Sequence, residues 1–280
     1  MSVFLVSLAA LLLCFDVASA SDFEGKITQQ AIYASIYSLE DVDSMAAADT
    51  VFSKTPAQLR QMALESGDEE AYSEELVDIY IKGDAFLMNT RQDGQRATVI
   101  FNTGSSKIST LIHDQKMVMV TDMNAAAEME NQMAAAMGMN PEMMADDIGE
   151  EDLFSMKPTG ETRTINGFQC ELYKGTDSDG AFCHMWIHKG FSDVFESLIT
   201  AFSELDKSDA GDDKEAAFFK KIKGVPILTK TLSMGEVNIN EITAISREPV
   251  SSDMFKVPAD YKKMDMQEMM KMQMQQMMAQ

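Results

Sequence analysis

Methionine holds most of the residues in this chain whose type and spacing can do chemistry. Fifteen of the 25 methionines fall in two stretches, MNAAAEMENQMAAAMGMNPEMM at 123–144 and MDMQEMMKMQMQQMM at 264–278. A thioether is a soft ligand for Cu(I), and the same flexible side chain moulds itself to irregular apolar partners. In the tail, Met266, Met270 and Met274 share one helical face with Met277, and MxM and MxxM spacings recur, so three thioethers can converge on one Cu(I). In the first stretch Met129, Met133 and Met137 lie four apart on an Ala-rich, helix-prone segment. Neither cluster contains a histidine or cysteine. An adaptable apolar face, packed on the chain's own groove or on cargo, is therefore the favoured reading, with a Cu(I) site at Met266, Met270 and Met274 as the alternative.

The remaining reactive residues are few. His184 and His188 have a spacing that chelates zinc on a helix. Their surroundings read as a strand, where four residues span about 13 Å, so they share a face and cannot share an ion. His113 sits beside a turn, and no Ser/His/Asp or Cys/His set can be singled out. Asp177-Ser178-Asp179-Gly180 fails as a calcium loop: with Gly180 at the sixth position, Gly175 and Trp186 stand where Asp and Glu are required. It reads as a hairpin turn. Gly-rich phosphate loops and CxxC pairs are missing. These observations predict a protein that is not an enzyme and needs no cofactor.

The first 20 residues read as a secretory signal. Val3–Phe15 is almost wholly apolar and Ala18-Ser19-Ala20 offers a small-x-small site, with cleavage after Ala20. Asp16 ends the run short of the ~20 residues a membrane span needs, and no later stretch is long enough. Loss of Cys14 with the signal leaves Cys170 and Cys183, which in an exported protein predict a disulfide; two buried thiols are the alternative. A disulfide with these residues directly opposite centres the hairpin between Thr176 and Asp177. An Asp179-Gly180 two-residue turn would instead set Cys183 against Thr176, so a longer loop or bulge is needed to reconcile the two. Charge is strongly acidic, with 45 Asp and Glu against 23 Lys and Arg. Such a surface repels phosphate backbones and anionic headgroups, which argues against a nucleic-acid partner.

These residues need elements to position them. Residues 74–122 break into short strand-like runs at Lys82-Gly83-Asp84, Gln92-Asp93-Gly94, Asn102-Thr103-Gly104 and His113-Asp114, the spacing of an antiparallel meander. Further β groups run over 162–188 and 225–245, and DFEGKITQQAIYASIYS opens with a strand. Thr55-Pro56 starts a helix that Gly67 can end. Phe195, Leu198 and Phe202 recur at helical spacing with Phe191, Val194 and Leu205, and a shorter helix covers 213–222. The order of elements predicts an α+β fold, an antiparallel sheet with helices on one face. One domain over 21–263 follows, with the tail at 264–280.

Dispersed but ordered pieces resemble a bacterial family of unknown function, DUF 4412. They are Asp22-Phe23-Glu24-Gly25, Tyr80–Asp84, Ile165–Lys174, Met185–Lys189, Lys223–Thr231 and Ser252–Met264. That family is similar to LolA/LolB-like periplasmic carriers. The resemblance implies a curved open half-barrel whose concave face is covered by helices. It also implies carriage of a lipid or acyl chain in the bacterial envelope, by a periplasmic protein. It transfers no binding residues. On apolarity and spacing, Phe195, Leu198 and Phe202 are the first candidates for the ligand cover, and Met129, Met133 and Met137 the next. The expected partner is a hydrophobic ligand, with another envelope protein as the alternative.

Overall fold

The computed structural model describes residues 23–65, 67–92, 95–102, 105, 107–122, 154–194, 218–219 and 221–264. Twelve strands form one sheet: β1 (Gly25–Ser35), β2 (Tyr72–Lys82), β3 (Ala85–Gln92), β4 (Gln95–Asn102), β5 (Lys107–Ile112), β6 (Met117–Asp122), β7 (Lys157–Ile165), β8 (Phe168–Thr176), β9 (Phe182–Lys189), β10 (Gly224–Ser233), β11 (Glu236–Ser246) and β12 (Lys262–Met264). Their spatial order is β12-β6-β5-β4-β3-β2-β1-β11-β10-β9-β8-β7. Two meanders, β2 to β6 and β7 to β11, are thus joined through β1. Every pairing is antiparallel except the short β12–β6 contact, and β7 and β12 are the two edges. The sheet is open, as expected, and the predicted meander and both later β groups are present.

Two helices are fully described, α1 (Met45–Phe52) and α2 (Pro56–Leu64). The Thr55-Pro56 start is present, and its physical basis is a capping box. The Thr55 hydroxyl accepts from the Gln58 backbone N–H at 3.3 Å while Gln58 Oε1 accepts from the Thr55 N–H at 2.9 Å. Helix α1 has no such signature, because its Ser44 cap makes no side-chain hydrogen bond.

Register tells which residues share a face. Lys174, His184, Lys230, Ile239 and Ile32 lie directly opposite one another across β8, β9, β10, β11 and β1. Ile27, Ile79, Met88 and Val99 form an equivalent row across β1 to β4, flanked by Ile81, Phe86 and Phe101. Ile27 and Ile32 are five residues apart on a strand that meets β2 without a register shift. An odd separation turns side chains to opposite faces, so the second row lies on the far face from the first. Leu87, Ile100, Leu111 and Val118 alternate with the second row and pack against Phe255, Val257 and Tyr261 of the segment leading into β12. β4 is accordingly buried on both faces from Ala97 to Phe101.

The predicted Cys170–Cys183 disulfide is not formed; both residues are buried thiols. Its failure comes from one turn. The Gly180 N–H donates to the Asp177 carbonyl at 3.1 Å, with Gly180 at φ +77°, and the Asp177 N–H donates to the Ala181 carbonyl at 3.1 Å. Asp177 Oδ1 also accepts from the Asp179 and Ala181 N–H groups, at 3.1 and 2.8 Å. This five-residue loop sets Thr176 against Phe182, Gly175 against Cys183 and Cys170 against His188. Cys183 and Cys170's partner His188 are therefore about 17 Å apart along β9 and face opposite ways. Cys170 joins Leu172 and Trp186, whereas Cys183 packs with Met185, Ile187 and Phe219.

Candidate functional site

Helix α1 meets the sheet through charge. Asp49 Oδ1 accepts from His184 Nε2 at 2.5 Å and from Lys174 Nζ at 2.8 Å. One turn on, Lys230 Nζ donates to the Phe52 carbonyl, where the helix exposes its unpaired acceptors. The Phe52 ring lies 4.6 Å from the His184 ring. Burial, then the neighbouring Lys174, pushes the His184 pKa down, with Asp49 opposing. Burial and then Arg163 lower that of Lys230. For Asp49 burial raises the pKa, but the bonds from Lys174 and His184 outweigh it and hold the carboxylate low. The group is a latch: one carboxylate and one helix end hold three cation-forming side chains that the sheet places in a row.

A second polar chain clamps the C-terminal segment. Thr98 Oγ1 donates to Asn89 Oδ1 at 2.6 Å, so it accepts from His113 Nε2–H at 2.7 Å. His113 Nδ1 then accepts from the Tyr261 hydroxyl at 2.7 Å. Thr98 is 4% exposed and burial lowers the His113 pKa, both consistent with a neutral imidazole. A third clamp joins two pieces of the family resemblance: Lys82 donates to Glu24 at 3.0 Å and to the Val250 carbonyl at 2.6 Å, while Glu24 accepts from the Val250 N–H at 2.9 Å. His184 and His188 both lie on β9, and His188 Nδ1 bonds the Gln169 carbonyl. Among the described residues no group of three or more His, Cys, Asp or Glu is placed to hold a metal ion.

The apolar feature is the row Ile27, Ile79, Met88 and Val99 with Ile81, Phe86 and Phe101 beside it. The Phe86 and Phe101 rings stack at 5.0 Å. Helix α1 reaches the other face through the Asp49 latch, and α2 does so where Arg60 lies over Tyr72, which pairs with Ala34 of β1. The wall residues are nonetheless buried, at 0–8% exposure, and belong to one core cluster with Val51 and Phe52 of α1 and Leu59 and Ala63 of α2. The candidates Phe195, Leu198, Phe202, Met129, Met133 and Met137, and the alternative metal set Met266, Met270 and Met274, lie outside the described residues. So does the signal-like segment. Asp49, Lys174 and Lys230 are not legible as a site in the sequence, because no local pattern links positions this far apart.

An open, edge-to-edge antiparallel sheet with polar clamps and an apolar wall is the class this geometry defines. The chain belongs to the family described as Domain of unknown function (DUF4412), which matches residues 62–261. No functionally curated protein matches it by sequence. Among solved structures it is similar to an uncharacterised conserved protein from Thermus thermophilus, at 9% identity and a TM-score of 0.39, covering 85% of this chain and 90% of that one. It is also similar to chains of the Pseudomonas aeruginosa MucA/MucB complex, at 10% identity and 0.32, covering 85% and 57%. A structure of MucB alone gives 11% and 0.35, covering 86% and 60%. This chain thus spans less than two thirds of the MucB chains. Among the described residues no helix is long and apolar enough to cross a membrane.

Proposed function

We propose that this is an exported envelope protein that binds or carries a hydrophobic ligand, a lipid or acyl chain, without catalysing a reaction. The observation that supports it is the apolar wall on a sheet whose edges do not meet. The wall is buried in this structure, so an acyl chain would take the place of side chains that now cover it, and the acyl chain's own apolar surface removed from water contributes about 25 cal/mol per Å². The signal-like N-terminus supports export, and the likeness of the family to LolA-type carriers supports the ligand class. Phe195, Leu198 and Phe202, then Met129, Met133 and Met137, are the proposed ligand cover.

The test is titration of the delipidated, signal-free protein with a fluorescent fatty acid. Saturable binding, displaced by unlabelled fatty acid and weakened severalfold by Leu198→Gln or Phe202→Ser, is the expected result. Probe uptake that never saturates, or binding indifferent to both substitutions, overturns the reading.

A further inference from the structure

We propose that edge strand β7 is a self-association edge that pairs antiparallel with β7 of a second copy, centred on Thr162. β7 is bonded on one side, to β8, and no described strand lies on the other. From Lys157 to Thr164 every residue is exposed. The N-terminal half is spoiled as a template. Pro158 lacks an N–H, Gly160 is at φ +80°, and the register against β8 shifts between Pro158 and Thr162. The C-terminal half is regular, with Thr162, Arg163, Thr164 and Ile165 opposite Glu171, Cys170, Gln169 and Phe168.

Outward hydrogen-bonding groups follow from the turn. Asn166 and Gly167, at φ +50° and +86°, form a two-residue turn, so the flanking pair Ile165–Phe168 is hydrogen-bonded. Bonded and non-bonded pairs alternate, which leaves the N–H and C=O of Thr162 and Thr164 pointing away from β8. A second β7 can bond Thr162 to its own Thr162 reciprocally; in that register Thr164 falls opposite Gly160, in the distorted half.

Side chains choose the register. Centring the pair on Arg163 sets arginine against arginine, and centring it on Glu161 sets carboxylate against carboxylate. Centring on Thr164 sets Arg163 against Ile165. Only the axis through Thr162 places Arg163 of each copy opposite Glu161 of the other, twice by symmetry. In the single copy the Arg163 guanidinium lies 4.0 Å from the Trp186 ring centre on β9, so pairing draws it from that ring toward the edge. A segment this short buries well under the ~1,200 Å² of a standard interface, so the dimer is reversible and concentration-dependent.

Sedimentation equilibrium of the signal-free chain over a wide concentration range is the test. Wild type is expected to show a monomer–dimer equilibrium. Glu161→Arg and Arg163→Glu each place like charges opposite and should weaken it by about tenfold or more. Their equimolar mixture restores both opposite pairs and should recover the heterodimer. Thr162→Pro, which removes an outward N–H without touching the β8 ladder, should abolish the dimer while Trp186 fluorescence reports an intact fold. A monomer at every concentration overturns the proposal, as does a mixture that fails to recover the dimer or a Thr162→Pro protein that associates like wild type.

Discussion

Asp49 and His184 bond at 2.5 Å across 135 residues of chain, and this contact sets the position of helix α1 on the sheet together with Lys174 and Lys230. Helix α1 is eight residues long, too short to be stable alone, and its cap is unassisted. Its apolar residues Ala48, Val51 and Phe52 supply burial. The carboxylate supplies position, since it must meet both Lys174 and His184. Asp49→Ala is expected to cost about 1–2 kcal/mol, because it strands a buried imidazole N–H and a half-buried ammonium. Urea unfolding measures this. The loss should be smaller for Asp49→Asn, whose side-chain oxygen still accepts one bond.

Acid should weaken the fold through its histidines. Burial holds both His113 and His184 below the ordinary value of 6.5. As pH falls through about 6.5 the unfolded chain takes up protons first, so stability present above that pH is lost progressively until the folded-state pKa values are passed. For His113 the loss has a structural reading: a protonated Nδ1 cannot accept from Tyr261. Denaturation midpoints measured from pH 7.5 down to 5 should decline, and His113→Gln should flatten part of that decline.

The Tyr261 clamp predicts local rather than global change. Tyr261→Phe keeps the ring's packing beside Val118 and Leu111 but removes the donor to His113, a loss of about 1 kcal/mol. Since β12 is three residues long and pairs only with β6, the freed segment should exchange its amide hydrogens faster. Hydrogen exchange over 252–264 should rise while β1 to β4 stay protected.

Strand identity is legible in this sequence, and register is not. Alternation along β1 and β2 and the turn residues at Lys82-Gly83-Asp84 and His113-Asp114 are local signals, and they place the strands. The β8–β9 register depends on how Asp177 closes its loop, and a difference of one residue moves Cys183 to the face away from Cys170. The Ala-rich Met45–Phe52 segment follows Ser44, but Ala47 stands where a capping box needs Glu or Gln, so its start is weakly marked in the sequence. The latch it bears joins residues from four separate elements, and sequence spacing holds no trace of such a meeting.

The thiols give a direct check of that register. Cys170 sits under Leu172 and Trp186 with its pKa raised by burial, and Cys183 packs on the other face. The signal-free protein, purified without reductant, should therefore carry two alkylatable thiols once unfolded, each adding one label by intact mass. A protein that takes up no label would mean a disulfide, and β9 would then have to slide against β8.

Gly25 reports on close packing at β1. A Cβ built there would lie 2.0 Å from the Ser246 carbonyl oxygen of β11 and 2.8 Å from the Phe23 ring. Backbone cannot yield as a flexible side chain does, so Gly25→Ala must push β1 and β11 apart at their hydrogen-bonded end. Overpacking of this kind costs about 1–3 kcal/mol. The Glu24–Lys82–Val250 clamp stands one residue away and shares the strain. Gly25→Ala should lower the melting temperature more than Gly83→Ala, although Gly83 is at φ +56°, because a Cβ at Gly83 meets nothing within 4 Å. Equal melting temperatures for the two variants would show that β1 and β11 approach less closely than these distances require.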